Sequence, residues 1–490
     1  MTTTFGVAFG GHDASLAAVV DDQIVFASDA ERYSRLKCDG NINAELVNAA
    51  VSRAGEPDVV VYYERPWRSN LRRRLSGQAP GLSNAEVIKT IRSHPTLRRA
   101  RILFSAHHES HAAAGFFTSG FDDATIIVAD GIGEWDTLSI WEAHGGTLKR
   151  RHVSRYPHSL GLFYGAFTDR LGLRPNQEEF IMMALAAYGR PTAVDAIKKE
   201  FVTECAPPGF RLKRNMHRGI RDWEPGSVAP QDIAASVQCL MELQLLSVVE
   251  WAARKCRSRN LVYAGGVALN CVANTRIANS GCFDRIWIMP SPGDGGAGLG
   301  AALQHLKRQV AWSGPFLGCD IARSFDAEGA AAALAAGRIV GVANGQAEFG
   351  PRALGNRSLH ADPRPSDMKD RVNDVKRREP FRPFAPMICE DDLAVYFETP
   401  SGQSMSYMQY AVRCLKPAEL PAVCHVDGSS RVQVVTSSEQ PKAYELLQRF
   451  KKLTGCPVLL NTSLNVKGEP IVNDWNDAVR FQEANEIEVF

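Results

Sequence analysis

The chain carries almost no net charge. Its 56 Lys and Arg against 54 Asp and Glu leave a formal +2 over 490 residues, which makes no case for a nucleic-acid surface or an anionic membrane. No apolar run approaches the roughly 18 residues of a membrane-spanning helix, so none is expected. The start, Met1 to Gly6, has no basic stretch and no cleavable apolar segment, and predicts no secretory leader. No Cys-x-x-Cys occurs. The eleven cysteines are scattered and odd in number, which reads as reduced thiols in a cytoplasmic protein rather than a disulfide framework or zinc ribbon. Low-complexity sequence is absent too. What is present is ordinary for a globular protein, 45% hydrophobic and 22% charged residues. The length suggests two to four domains at roughly 100–200 residues each.

Three of the twelve histidines fall within Ser105–Ala114. His107 and His111 stand i, i+4, which on a helix places both imidazoles on one face, one turn apart. Ala112, Ala113 and Ala114 favour that helix. Two rings so placed can ligate one metal ion; a polar helix start with solvated histidines has the same spacing. His108, adjacent in sequence, points off that face.

Residues 5–28 read as strand, turn, strand, turn, strand, with Gly10-Gly11-His12-Asp13 in the first turn. Residues 124–150 repeat the layout, with Asp130 in the corresponding turn. A duplicated hairpin unit with a turn acid is the layout of actin-like ATPases, by fold-level analogy alone. Between the copies, Arg68 to Gly81 is basic and turn-rich. It reads as a solvated insertion, with a grip on an anionic substrate as the alternative. Ser159–Gly172 predicts a helix lining the core, 205–230 a lid-like insertion, and 231–256 a long amphipathic helix. Leu261–Ala264 then reads as a buried strand ending in Gly265-Gly266, where a ligand can approach the backbone. A strand at 285–289 and a helix at 299–311 follow. The turn between them formally matches a dinucleotide fingerprint, Gly293-x-Gly295-x-x-Gly298. No βαβ unit with a ribose-binding acid follows it, and Asp294 occupies the phosphate-facing turn, so a Rossmann site is rejected. A phosphate loop at the helix start, with Asp294 meeting a metal, stays open.

Ala311–Gly318 marks a composition break, giving domains at 1–312 and 318–490. Residues 338–382 are dense in Arg and Lys (Arg352, Arg357, Lys376, Arg377, Arg378 and Arg382). Forked guanidiniums suit phosphate and carboxylate oxygens, so an anion pocket is expected there, against a solvated basic surface.

Taken in order, several strings resemble one family. They are Gly11–Ser15 with Glu31-Arg32; His107–Ala114 with Val128–Gly131; Gly265–Asn270 with Pro292–Gly296; Glu348–Ser358; Phe381–Pro386; His425–Gly428 with Arg431; and Asn461–Pro470. The chain is similar over nearly its whole length to the NodU/CmcH-type O-carbamoyltransferases. The resemblance implies an α/β protein with a duplicated actin-like N-terminal domain and a C-terminal α+β domain like threonylcarbamoyl-AMP synthase. It implies that carbamoyl phosphate and ATP (with Mg) form carbamoyl-adenylate in the C-terminal domain. The N-terminal domain then transfers the carbamoyl group to a hydroxyl of a small secondary metabolite, such as an antibiotic precursor.

By the same resemblance, His107, His111, Asp130 and Asp294 match metal ligands, with Fe(II) first and Mn, Zn or Ni open. His12 matches the base that deprotonates the acceptor, its ordinary pKa near 6.5 suiting that role. Gly265, Gly266 and Asn270 match the nucleotide side. Arg352, Lys376, Arg382, Arg431, Asn461 and Ser463 match the carbamoyl phosphate and ATP pocket. No nucleic acid or membrane partner is expected, and a homodimer is open. There are departures. Cys38 stands where relatives often carry histidine, the family's final strand is expected to be trimmed or altered at Phe490, and loops 64–100 and 205–230 follow no known pattern. The competing readings are a non-catalytic actin-like nucleotide-binding regulator and a tRNA threonylcarbamoyl transferase. A hydrogenase-maturation carbamoyl transferase is disfavoured by domain order and by the missing Cys-x-x-Cys.

Overall fold

The computed structural model describes residues 2–400 and 402–490 and divides into two compact units. The first is Met1–Ser34 with Cys38–Trp312; the second is Arg35–Lys37 with Ser313–Phe490.

The first unit holds two five-stranded sheets. One contains β1 (Thr3–Ala8), β2 (Ser15–Val20), β3 (Gln23–Asp29), β4 (Val59–Tyr62) and β5 (Arg101–Phe104) in the order β3-β2-β1-β4-β5. The other contains β6 (Asp123–Gly133), β7 (Asp136–His144), β8 (Thr147–Arg155), β11 (Asn260–Ala264) and β12 (Arg285–Trp287) in the order β12-β11-β6-β7-β8. Between them in sequence, β9 (Val202–Thr203) and β10 (Arg211–Leu212) form a small ribbon. In each large sheet an antiparallel three-stranded meander is extended by two parallel strands, β4 and β5 on β1, β11 and β12 on β6. β1 and β6 lie at the centre and are buried on both faces. That is why they read as continuous apolar runs rather than alternating ones.

The helix expected at 299–311 begins earlier, at Asp294, and ends at Leu306. The shift comes from packing. Four glycines between 295 and 300 make poor local helix signals, yet they let this helix lie against its neighbours. A Cβ on Gly300 would sit 1.8 Å from the Ser110 carbonyl oxygen. Within the dinucleotide-like pattern, a Cβ on Gly295 would sit 2.9 Å from Asp29 Oδ1 and one on Gly298 3.0 Å from Ser15 Oγ, so these two glycines serve close packing.

The basic insertion also differs from expectation. Pro66–Leu75 is a helix with Pro at its N-terminus, and Arg72 on it is buried. Asn84–Ser93 is a second helix, capped by a Ser83/Glu86 capping box. Within 205–230 the structure is mostly turns around β10. Among the described residues one helix, Pro230–Lys255, is long and apolar enough to cross a membrane by length and composition. The run-length reading missed it because polar residues interrupt its apolar stretch. More than half of its most apolar window is buried inside the protein.

The second unit is built on a sheet ordered β14-β16-β21-β17-β20. Its strands are β14 (Val340–Ala343), β16 (Arg357–Ala361), β17 (Ala385–Cys389), β20 (Gln433–Val435) and β21 (Val458–Ser463). β17 pairs parallel with β20, and the other pairs are antiparallel. β13 (Phe316–Ile321) pairs with β15 (Gly345–Glu348), and β18 (Ala411–Arg413) with β19 (Ser429–Arg431). Residues 488–490 run beside β14, with Val489 bridging Gly341. The chain is thus a mixed α/β protein with several sheets.

Candidate active site

The first unit brings His107, His111, Asp130 and Asp294 to one point, their ligand atoms all within 4.8 Å of one another. His107 and His111 lie on the helix His107–Thr118. Asp130 sits on the far part of β6, and Asp294 is the first residue of its helix, where the helix dipole favours a carboxylate. His107 Nε2 is 3.0 Å from His111 Nε2, 3.1 Å from Asp130 Oδ2 and 3.3 Å from Asp294 Oδ1. His111 Nε2 is 3.2 Å from Asp294 Oδ1 and 3.8 Å from Asp130 Oδ2. Donor atoms at bonding distance from one transition-metal ion stand roughly 3.0–3.4 Å apart. The four separations from 3.0 to 3.3 Å fall in that range. Two neutral imidazoles and two carboxylates also balance a dication in charge. The donor set fits a metal ion.

The electrostatics agree. Burial alone would push His107 down, but Asp294 and the hydrogen bonds to Asp130 and Asp294 hold it well above its ordinary value. Burial would raise both carboxylates, yet the imidazoles hold Asp130 and Asp294 below the usual range. The cluster therefore favours added positive charge. His108 does not join it. Its Nδ1 meets Ser139 Oγ at 2.7 Å, and burial followed by His107 pushes it down to about 3.

The two glycines expected on the nucleotide side lie against this cluster, and Glu64, Glu134 and Gly133, which sequence reasoning did not single out, lie there too. Gly266 N–H donates to Asp130 Oδ1 at 3.1 Å and so orients a ligand. Gly265 has φ +91°, and a Cβ there would lie 2.2 Å from the Ala129 carbonyl oxygen, which restricts the position to glycine. Glu64 Oε2 approaches His107 Nδ1 at 3.8 Å. Buried Glu134 is gripped by Arg65 and by Arg68 at 3.2 Å. A Cβ on Gly133 would stand 2.2 Å from His107 Cδ2. Gly133→Ala is therefore expected to displace the His107 ring and weaken metal binding about tenfold or more; titrating metal into the stripped variant measures it. Sequence distance hid Glu64 and Glu134, which lie in a bend and a turn of unremarkable composition.

His12 stands at the edge of the site, its Nε2 4.0 Å from Asp294 Oδ2 and its Nδ1 2.9 Å from Asp13 Oδ2. The expected pKa near 6.5 is corrected: His12 is raised to about 9, first by the hydrogen bond to Asp13, against desolvation and with help from Asp294 and Asp130. Asp13, Glu31 and Cys38 form a second set of donors within 4.8 Å, where Glu31 accepts from the Cys38 N–H at 2.8 Å.

Asn270, expected on the nucleotide side, is spent on structure. Its Oδ1 caps the helix Cys271–Asn279 through Ala273 N–H, and its amide pairs with that of Gln238.

In the second unit, Lys376 is buried, with Nζ donating to Ser463 Oγ at 3.0 Å and Asn465 Oδ1 at 2.8 Å. Burial, then Arg378 and Arg382, push Lys376 well down. Arg378 is pushed down to about 8 by burial, then by Arg382 and Arg431. These four cations act on one another, and Arg382 has Glu379 at 3.5 Å. An anion is the natural complement. Arg378, which the sequence reading left among generic basic residues, is braced by Asn373 Oδ1 at 2.7 Å and stacks on Phe384. Arg352 is half-buried in the turn before β16; the charges acting most strongly on Lys376 and Arg378 do not include it. Asn461 Nδ2 is spent on the Ala353 carbonyl and Gln433, leaving its buried Oδ1. Arg357 is not in the pocket. It is fully buried among backbone carbonyls.

Comparison with known proteins adds independent findings. The family model described as carbamoyltransferase N-terminus matches residues 82–303, and that described as carbamoyltransferase C-terminus matches 331–490. The chain is 38% identical to nodulation protein NolO of Bradyrhizobium diazoefficiens, over 76% of this chain and 75% of that protein. It is 30% identical to 3'-hydroxymethylcephem-O-carbamoyltransferase of Amycolatopsis lactamdurans, over 97% and 96%. It is also 35% identical to the uncharacterized protein sll1178 of Synechocystis sp., over 98% and 94%.

Proposed function

This chain belongs to the carbamoyltransferase family and is a carbamoyl-transferring enzyme; from that premise we propose that it is an ATP-dependent O-carbamoyltransferase acting on a small-molecule hydroxyl. The second unit forms carbamoyl-adenylate. Carbamoyl phosphate, ATP and water give carbamoyl-adenylate, pyrophosphate and inorganic phosphate. In the first unit an acceptor oxygen attacks the carbamoyl carbon, AMP leaves, and the hydroxyl proton passes to the neutral form of His12, whose share grows as pH rises toward about 9, so transfer is expected to quicken between pH 7 and 9. The matching meander-plus-parallel topology of the two sheets supports the reading of the first unit as a duplicated actin-like domain.

The observation that carries the proposal is the pairing of two unlike sites in one carbamoyltransferase chain. One is a four-donor cluster built on two buried histidines and the other a cluster of cations around buried Lys376. Lys376, Arg378, Arg382 and Arg431 would hold the polyanions, with Ser463 and Asn465 fixing the lysine. His107, His111, Asp130 and Asp294 would hold a divalent ion, Fe(II), Mn, Zn or Ni by donor type. When bound, such an ion supplies Lewis-acid stabilisation to a phosphate leaving group. By the family resemblance Gly265 and Gly266 would lie on the adenylate side, with Gly265 packed on Ala129 and Gly266 N–H holding Asp130. Asp13 at Nδ1 fixes the His12 ring and presents Nε2.

The test is pyrophosphate release from ATP by the purified protein, with and without carbamoyl phosphate. Release only with carbamoyl phosphate supports the first half-reaction; ATP binding with no release in either case sinks it. Arg382→Ala should lose that release by removing a charge-assisted phosphate contact. His12→Gln should instead slow carbamoyl transfer about 10²–10⁴-fold, the range of a lost general base. Its metal content, measured by elemental analysis, should stay that of the wild type.

A further inference from the structure

The two patternless insertions meet in the first unit. Arg218, from the segment between β10 and the helix Pro230–Lys255, donates through Nη2 to the Ser76 carbonyl just past the helix Pro66–Leu75. Arg72 on that helix stacks on the Tyr156 ring at 5.4 Å, and Tyr156 meets the His217 ring at 6.0 Å. Asn215 donates to the Tyr156 hydroxyl. His217 feels Arg72, Arg73 and Arg218 together, which adds to the burial that lowers its pKa.

The local charge is unbalanced. Arg214 and Arg221 have Asp222 and Asp169, and Arg65 and Arg68 have Glu134. Among the described residues Arg72 has no carboxylate within ion-pair distance. It is 5% exposed, and its Nε and Nη1, with Arg73 Nε, lie buried without a hydrogen-bond acceptor among the described residues. Unsatisfied buried guanidinium donors are costly, and a small anion is the ligand that satisfies them. The place is close to the chemistry. Ser69, one turn before Arg72 and Arg73, donates to Glu64 Oε2 at 3.0 Å, and that oxygen is 3.8 Å from His107 Nδ1.

We propose that Arg72, Arg73 and Arg218, with His217 and Tyr156, form the acceptor subsite and take an anionic group, phosphate, sulfate or carboxylate, carried by the molecule whose hydroxyl is carbamoylated. This rests on the O-carbamoyltransferase reading and narrows its substrate class to acidic acceptors. The same helix exposes Trp67, Leu71 and Leu75 in an i, i+4, i+8 stripe. A lipid surface meeting that stripe does not reach the buried Arg72, so a soluble anionic molecule is the occupant the geometry favours.

The test is hydrogen-exchange mass spectrometry of the full chain with glucose 6-phosphate, glucose or inorganic phosphate. Slowed exchange in 66–75 and 213–221 is expected with glucose 6-phosphate and not with glucose. Arg73→Glu/Arg218→Glu, on accessible side chains, should weaken that binding about tenfold or more, the worth of a lost charge-assisted bond. Arg73→Gln/Arg218→Gln should do so in part. Equal protection by glucose, protection by inorganic phosphate alone, or insensitivity to charge reversal overturns the proposal. So does binding to phosphatidylglycerol vesicles that is lost in Trp67→Ala/Leu71→Ala but kept on charge reversal. Pyrophosphate release by the wild-type chain is followed in parallel. Its failure with protection intact sinks the adenylate reading and leaves the anion subsite standing; the reverse pattern sinks the subsite alone.

Discussion

On the proposed metal reading, His107→Ala protein is expected to purify with only a trace of the metal found in the wild type prepared alongside it, and to transfer no carbamoyl group, while still releasing pyrophosphate from ATP with carbamoyl phosphate. His107 Nε2 stands within 3.3 Å of each of the other three donor atoms. Its loss leaves one imidazole facing two carboxylates and removes one of the four donors. The control is His108→Gln, which changes the adjacent ring but none of the four donors. It should keep its metal. Stripping the wild type with a chelator should lower the melting temperature as well, because an ion held at about a hundred times its Kd stabilises the native state by about 2.7 kcal/mol. Metal content, melting and the two half-reactions distinguish the outcomes. Loss of pyrophosphate release in a folded His107→Ala protein would sink the division of labour between the sites. Equal metal loss in His108→Gln would mean that the histidine cluster is structural.

Arg357→Met should destabilise the second unit by about 3–5 kcal/mol, the range for breaking a buried, fully hydrogen-bonded charge. The guanidinium donates to the carbonyl oxygens of Asn473, Asn344, Asn356, Cys319 and Gly345 at 2.8–3.0 Å. Methionine fills much of the volume and returns some apolar burial, but it leaves those acceptors unpaired. A melting curve of the full chain should show the transition of this unit lowered, and pyrophosphate release should fail through unfolding. Arg382→Ala removes the same charge from a side chain 15% exposed and should melt near the wild type while losing the same reaction. If Arg357→Met melted normally and raised only the KM for carbamoyl phosphate, the anion-pocket reading of this residue would be the right one.

Arg357 and Arg378 show where local sequence stops informing. Both are arginines in turn-rich, basic sequence. One became a brace among carbonyls and the other part of the cation cluster, because β16 carries Arg357 inward beside β14 while Arg378 follows the helix Met368–Val375. The helix Pro66–Leu75 misled for a related reason. Its arginines signal solvent, and only packing against Tyr156 buries Arg72. The helix starting at Asp294 begins five residues before the position its sequence predicts, because glycines signal a turn. Their use here is contact with Ser110 and with β1, which no local period records.

The sequence by itself determined the meanders, since apolar runs broken by turn residues act over a few positions. It also determined the His107–His111 pair, since a helix turns once in about 3.6 residues wherever it lies. It carried the family motifs and hence the class of enzyme. Tertiary structure decided that Asp294 reaches His111 from 183 residues away, that His108 is spent on Ser139, and which cations face one another. Those outcomes depend on long-range strand order and close helix packing, where each contact is set by the backbone positions of both partners rather than by the residues on either side.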